Sequence, residues 1–305
     1  MNKFLKFIKK HFVLLIVILI LFGCSCINFW DYEHSYQKQV QNYYSILDYC
    51  EKNPERKNLC ETLQYPERDN IYVVFNDMQN NGVGGEGIAG KIQFILFILV
   101  VVAGIWDFQK NFSHGILKNK LSRQKYSSII KKDILSSYKA ACLLPIYMIF
   151  LWVASLCYTT NLSPNIELMN LSVMKDSFSS FSIFYIMYFF SQMIVYFLVS
   201  VYMINLGLIL VKKSKNFILT IIKSYALFLV LDAFFSFFVS DVLFPFWFNL
   251  KLEPMYLNTF RGYSSIIYGN WWLFLLIYGA LAILSYFMVL FVYSNKEKVV
   301  VESEK

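Results

Sequence analysis

Six stretches of the chain are apolar almost without interruption, each close to the roughly 17 to 25 residues that a helix needs to cross a hydrocarbon layer. They lie near 12–30, 92–108, 140–158, 181–211, 217–243 and 271–293. This pattern predicts an all-α integral membrane protein with six transmembrane helices. The fourth and fifth stretches are separated only by KKSK at 212–215, which predicts a tight helical hairpin. Composition agrees: 57% of the 305 residues are hydrophobic, 19% are aromatic and only 16% are charged. Such a balance excludes an ordinary soluble domain.

The polar connections differ in their lysine and arginine content, and basic loops stay on the cytoplasmic side whatever their acidic residues do. The first eleven residues carry Lys3, Lys6, Lys9 and Lys10. The 109–139 connection carries Lys110, Lys118, Lys120, Arg123, Lys125, Lys131, Lys132 and Lys139. The 212–216 link and the 294–305 tail are basic too. The 31–91 connection holds more acids than bases, 159–180 has one lysine, and 244–270 has only Lys251 and Arg261. Both termini are therefore expected in the cytoplasm, with a small helical extracytoplasmic insertion between helices 1 and 2. This topology accounts for the net charge of +8 without any nucleic-acid partner.

Three connections have a periodicity of their own. In MNKFLKFIKKHF, Phe4, Phe7, Ile8 and His11 share one face against Lys3, Lys6 and Lys10, as in a helix lying among lipid headgroups over 1–11. Beyond the first span, Tyr32, Tyr36, Val40, Tyr43, Tyr44 and Leu47 recur at helical spacing. That stripe fits packing at the membrane mouth better than contact with a substrate. Asn53, Pro54 and Glu55 spell the start of a second short helix. From Phe112 to Ala140 the cytoplasmic connection alternates Ile116, Leu117, Leu121, Ile129, Ile130, Ile134, Leu135 and Tyr138 with its basic residues, predicting amphipathic helices on the membrane surface, with Ser113 and Ser122 as candidate N-caps.

Candidate chemistry is sparse. GEGIAGK at 85–91 has the spelling of a phosphate-binding loop, but Ile92 stands where a magnesium-holding Ser or Thr belongs and a membrane span follows in place of a βαβ unit. It reads as a glycine linker ending in an interfacial lysine. LFGCSC at 21–26 resembles the end of a signal peptide with Cys24 as a lipid-attachment site. Bulky Phe22 and an apolar run continuing to Trp30 favour an uncleaved first span. Cys50 and Cys60 share the outer, oxidising side, where a disulfide is plausible. Cys142 and Cys157 read as packing residues of the third span. Among intramembrane ionisable residues, Asp232 is central, with Lys223 and Asp241 nearer the ends of the fifth span and Asp107 at the inner end of the second. Lys223 and Asp232, nine residues apart, fall on opposite helix faces. For Asp232 an interhelical hydrogen bond and a role along a transport pathway both fit. No acid, base or metal-ligand constellation for an enzyme can be assembled, and the chain offers no cofactor site of its own. The aromatic 244–270 connection, with Trp247, Trp271 and Trp272, fits an outer aromatic belt.

An interfacial N-terminal helix, a first span, an outer loop, a second span, then G-I-L-K-N-K-L at 115–121 followed by S-R at 122–123 resembles the membrane (permease) subunit of a type-2 ATP-binding-cassette (ABC) transporter. The resemblance in architecture covers nearly the whole chain, and in motif about fifteen residues. Here Ser-Arg follows the leucine directly, where relatives place several residues between. The resemblance implies a bacterial cell-membrane permease that works as a dimer with a second copy or a sister permease. ABC ATPase subunits would supply ATP and Mg, and membrane lipids would surround the pair. It also implies that Gly115, Lys118, Asn119, Lys120, Leu121 and Arg123 contact or orient the ATPase subunit, and that short re-entrant helices over 244–270 cap the pathway. The aromatic, charge-poor spans suggest an amphipathic or hydrophobic cargo such as a peptide, an antimicrobial or a lipid-linked molecule. A membrane sensor or scaffold that binds a ligand through its outer loop is the competing expectation.

Overall fold

The computed structural model describes residues 11–53, 78, 88–113, 120–159, 181–214, 216–243, 245–246 and 271–295. Among them every regular element is helical. In chain order these are α1 (Phe12–Lys52), α2 (Ile88–Ser113), α3 (Tyr126–Ser137), a tighter 3₁₀ turn (Tyr138–Cys142), α4 (Leu143–Tyr158), α5 (Phe181–Val211), α6 (Phe217–Ala233) continuing as a π-helix (Phe234–Leu243), and α7 (Trp271–Val292). Six helices are long and apolar enough to cross a membrane: α1, α2, the α3–α4 unit, α5, α6 with its π extension, and α7. The protein is a multi-pass transmembrane bundle.

α5 lies at the centre and touches α2, α4, α6, α7 and the 3₁₀ turn, while α1 lies against α2 and α4. The approach of α2 to α5 depends on two glycines. A Cβ on Gly104 would come within 2.6 Å of Ile204 Cγ1, and one on Gly207 within 2.7 Å of Ile105 Cγ2. Each helix thus offers a glycine to its neighbour's isoleucine, the small-residue device by which helices pack closely where lipid is as apolar as leucine.

The basic ends of the spans meet at one end of the bundle. Gln109 Nε2 donates to the Ser214 carbonyl at 3.1 Å, Lys212 Nζ to the Val292 carbonyl at 3.0 Å, and Tyr126 Oη to the Tyr293 carbonyl at 2.7 Å. The last two satisfy carbonyls at the C-terminus of α7 that have no partner within the helix. At the hairpin, Asn216 caps α6 by accepting from the Ile218 N–H at 2.9 Å.

Several boundaries and roles read from the sequence need correction. The helix that carries the first apolar run does not end with it at residue 30: α1 runs unbroken for 41 residues, about 60 Å at 1.5 Å per residue, about twice the hydrocarbon thickness. No glycine or proline interrupts 24–53, so the aromatic stripe from Tyr32 continues the same helix. Residues 88–91 of GEGIAGK belong to the first turn of α2 and not to a linker. Ser122 does not cap the following helix: it lies in a turn, and Lys125 occupies the N-cap of α3. Ser113 is the last residue of α2, and the residues it would cap lie outside the described ones. The third span begins with a change of helix type. Pro145 cannot donate to the Ala141 carbonyl four residues back, and the backbone tightens to 3₁₀ over that segment. Cys142 and Cys157 are exposed on the surface of that span and are not packing residues. Residues 1–10, Cys60, the proposed helix after Asn53, Trp247 and the rest of 247–270 lie outside the described residues, and of Trp271 and Trp272 only the backbone is described.

Candidate functional site

The basic connection between α2 and α3 ends in a defined turn. Lys120 and Leu121 close a helical segment, and the N–H groups of Arg123 and Gln124 both donate to the Lys120 carbonyl at 3.1 Å. Lys120 Nζ then reaches Asp133, one turn from the end of α3, at 2.7 and 3.0 Å from its two oxygens. The pair is partly withdrawn from water, with the side chains 32% and 17% exposed, so it is screened less than a surface pair. Lys120, Ser122, Arg123, Gln124 and Lys132 line a cavity of about 480 Å³ floored by Ile129 and Asp133. Three cations against one carboxylate leave the rim basic, and Arg123 stands exposed upon it.

The turn is tied to the spans. Ile129, Ile130 and Ile134 are buried in the core, and Leu121 and Tyr126 pack on it. The apolar ridge of α3 therefore faces the chain's own α2, and a ridge free to enter a partner's groove, as the amphipathic pattern suggested, is not what the fold leaves outside. What remains exposed is Ser127, Ser128, Lys131, Lys132, Leu135 and Ser136, together with the turn itself. Tyr126 links α3 to Tyr293, whose own hydroxyl donates to the Leu208 carbonyl of α5 at 2.8 Å and whose ring meets Phe108 of α2 edge-on at 5.3 Å. The turn is thereby connected to the second, third, fourth and sixth spans.

Inside the bundle the buried polar residues are most numerous on α5 and α6. Asn205 of α5, fully buried, accepts from the Tyr138 hydroxyl at 2.6 Å and donates to Ser285 Oγ at 2.9 Å, joining the 3₁₀ turn, α5 and α7. On α6, the buried residues fall every fourth position: Thr220, Ser224, Phe228, Asp232, Ser236 and Ser240. An α-helix advances such a row by about 40° per step, which over five steps would carry Ser240 to the far face. The wider turns of the π segment offset that drift and keep Ser236 and Ser240 inside. Asp232 is buried on this row, within electrostatic reach of Tyr202 on α5, while Lys223 on the opposite face is exposed.

At the far end of the bundle, Asn28 Nδ2 donates to the Tyr147 hydroxyl at 2.8 Å and to the Met78 carbonyl at 3.2 Å, with Met78 fully buried beside Tyr32. Along the aromatic stripe only Tyr32 is buried; Tyr36, Val40 and Tyr43 are half-buried, and Tyr44 and Leu47 are exposed. Cys50 is disulfide-bonded, whereas Cys24, Cys26, Cys142 and Cys157 are free.

Of the residues selected from the sequence, the fold brings together Lys120, Leu121 and Arg123; Gly115, Lys118 and Asn119 lie outside the described residues. Sequence reasoning missed Asp133, Lys132 and Asn205. Nothing in the spelling links Asp133 to Lys120, since the pairing depends on the intervening turn. Asn205 did carry a signal, an amide in the middle of an apolar span, which a search confined to ionisable residues passes over. Comparison with protein-family models, with curated proteins and with solved structures finds no match for this chain.

Proposed function

We propose that the chain is the permease subunit of a type-2 ABC exporter of the bacterial cell membrane, moving an amphipathic or hydrophobic cargo with energy from separate ATPase subunits. The observation that carries this reading is the exposed basic turn at Ser122–Gln124, fixed by Lys120 to Asp133 and connected through Tyr126 and Tyr293 to four spans. On the positive-inside rule this end of the bundle faces the cytoplasm, where an ATPase is available. Arg123 and Lys132 would steer an acidic partner surface into place, and its nucleotide-driven movement would shift α3 with the spans as one body. The fifth and sixth spans, along with the first, leave most of their apolar surface outside the bundle, room for a second permease as well as lipid.

The test is a mild-detergent pull-down of the tagged chain from its native host, with co-purifying proteins quantified. A partner bearing a complete phosphate-binding loop, near one copy per permease, is the expected result, and Arg123→Glu should reduce its recovery about tenfold while membrane insertion is unchanged. Unaltered recovery with Arg123→Glu would remove the turn from the docking surface. A competing reading, a sensor or scaffold, draws on the disulfide-bonded end of α1, where Tyr44, Leu47 and Tyr49 are exposed. Purification without any ATPase would favour it.

A further inference from the structure

A second cavity at the basic end has a chemistry unlike that of the turn. It measures about 570 Å³ and opens between the start of α1, the last turns of α2 and the 3₁₀ turn of the third span. Its wall is divided. Phe12, Val13, Leu14 and Ala103 form an apolar side, while Lys110, Lys139, Asn111 and Ser136 form a polar one, with His11 and Asp107 at the edge. Trp106 stands beside it, exposed and set edge-on to Phe217 at 4.8 Å, in the position of an interfacial aromatic anchor. Lys110 and Lys139 come from different spans, and neither forms an ion pair or hydrogen bond with the described residues. Two ammonium groups lining one cavity, neither ion-paired with a described carboxylate, repel each other, and an anion between them relieves that repulsion. Lys110, Lys139 and Asp107 together carry one net positive charge, the match of a single phosphodiester.

We propose that this cavity binds the headgroup of an anionic glycerophospholipid, with the phosphate between Lys110 and Lys139 and the upper acyl chain along Phe12, Val13, Leu14 and Ala103. An amphiphile is favoured over a soluble anion because the cavity joins its cationic side to an apolar side at the level where a headgroup meets its chains. Asn111 and Ser136 offer hydrogen bonds to the glycerol and ester oxygens. Such a lipid would wedge the first span against the second and third. The proposal does not depend on the transporter reading, because it concerns only the fit between this chain and the membrane around it.

The test uses the full-length chain purified in mild detergent and exchanged into equimolar phosphatidylglycerol and phosphatidylcholine, with retained lipid counted by native mass spectrometry. Wild type should keep one phosphatidylglycerol in clear preference to phosphatidylcholine. Lys110→Gln and Lys139→Gln should each lower that retention about fivefold, the factor corresponding to about 1 kcal/mol per basic residue near an anionic surface. Lys131→Gln and Lys213→Gln, exposed lysines outside the cavity, should leave it unchanged. Asp107→Asn should act in the opposite direction and raise retention severalfold, which tests the site even if a lysine variant fails to fold. Equal retention of the two lipids by wild type, an equal loss with the outside lysines, or no gain with Asp107→Asn would overturn the proposal. Displacement of the lipid by millimolar inorganic phosphate would also overturn it, by assigning the site to the free anion.

Discussion

At the scale of single residues, the strongest consequences follow from groups that apolar neighbours leave no alternative partner. Asn205 ties three elements with two short side-chain hydrogen bonds, to Tyr138 and to Ser285. Interhelical hydrogen bonds inside membrane bundles contribute about 0.6 kcal/mol on average and up to about 1.7 kcal/mol. Asn205→Leu should therefore destabilise the detergent-solubilised protein by about 1 to 3 kcal/mol, and Tyr138→Phe, which removes one bond only, by about 0.6 kcal/mol. Unfolding titrations of the two variants check this; equal stability of Asn205→Leu and wild type would mean that the triad holds nothing together.

At the scale of elements, two local conflicts shape the third span and its approach. Pro145 cannot continue the hydrogen-bond ladder behind it, and the helix tightens to 3₁₀ where the chain leaves α3. On either side of that change α3 lays its three isoleucines on the core and Tyr138 meets Asn205. The turn before α3 is held by one partly buried ion pair and two backbone hydrogen bonds from Arg123 and Gln124. Asp133→Asn should loosen it, since Lys120 loses its carboxylate in a half-withdrawn setting, and limited trypsin should cut after Lys120 or Arg123 several times faster than in wild type. A cleavage rate unchanged by Asp133→Asn would show that backbone bonds and packing of Leu121 suffice. The row on α6 is the element-scale counterpart inside the bundle, where a change of helical pitch keeps small polar residues and Asp232 facing inward over about six turns.

At the scale of the whole molecule, the basic ends meet on one side and α1 projects beyond the bundle on the other, so orientation can be tested with two exposed serines. In a background lacking Cys24, Cys26, Cys142 and Cys157, Ser45→Cys should react with an impermeant maleimide in intact cells. Ser127→Cys should react only after permeabilisation. The reverse pattern would place the docking turn outside, away from any cytoplasmic ATPase, and would end the transporter reading. The central position of α5 has a further consequence: any rearrangement of the other spans moves them against the one element that touches nearly all of them.

The sequence alone determined that the protein is an all-α membrane bundle of six spans, because an apolar run of span length has no other stable way to satisfy its backbone in lipid. The fourth, fifth and sixth spans emerged almost residue for residue, since basic or polar links bound each of those runs closely. It also separated buried Asp232 from exposed Lys223, a matter of helical angle only. Tertiary structure decided the rest. A hydrophobic face does not state whether it will meet its own chain or another, so only packing could turn the isoleucines of α3 inward and leave a basic turn outside. Pairings that span the fold, such as Lys120 with Asp133, Tyr126 with Tyr293 and Asn205 with Ser285, depend on where helices bend and cross. The lysines at 110 and 139 illustrate the division most plainly: topology accounts for their charge, and only the packing of the 3₁₀ turn against α2 sets them around one cavity.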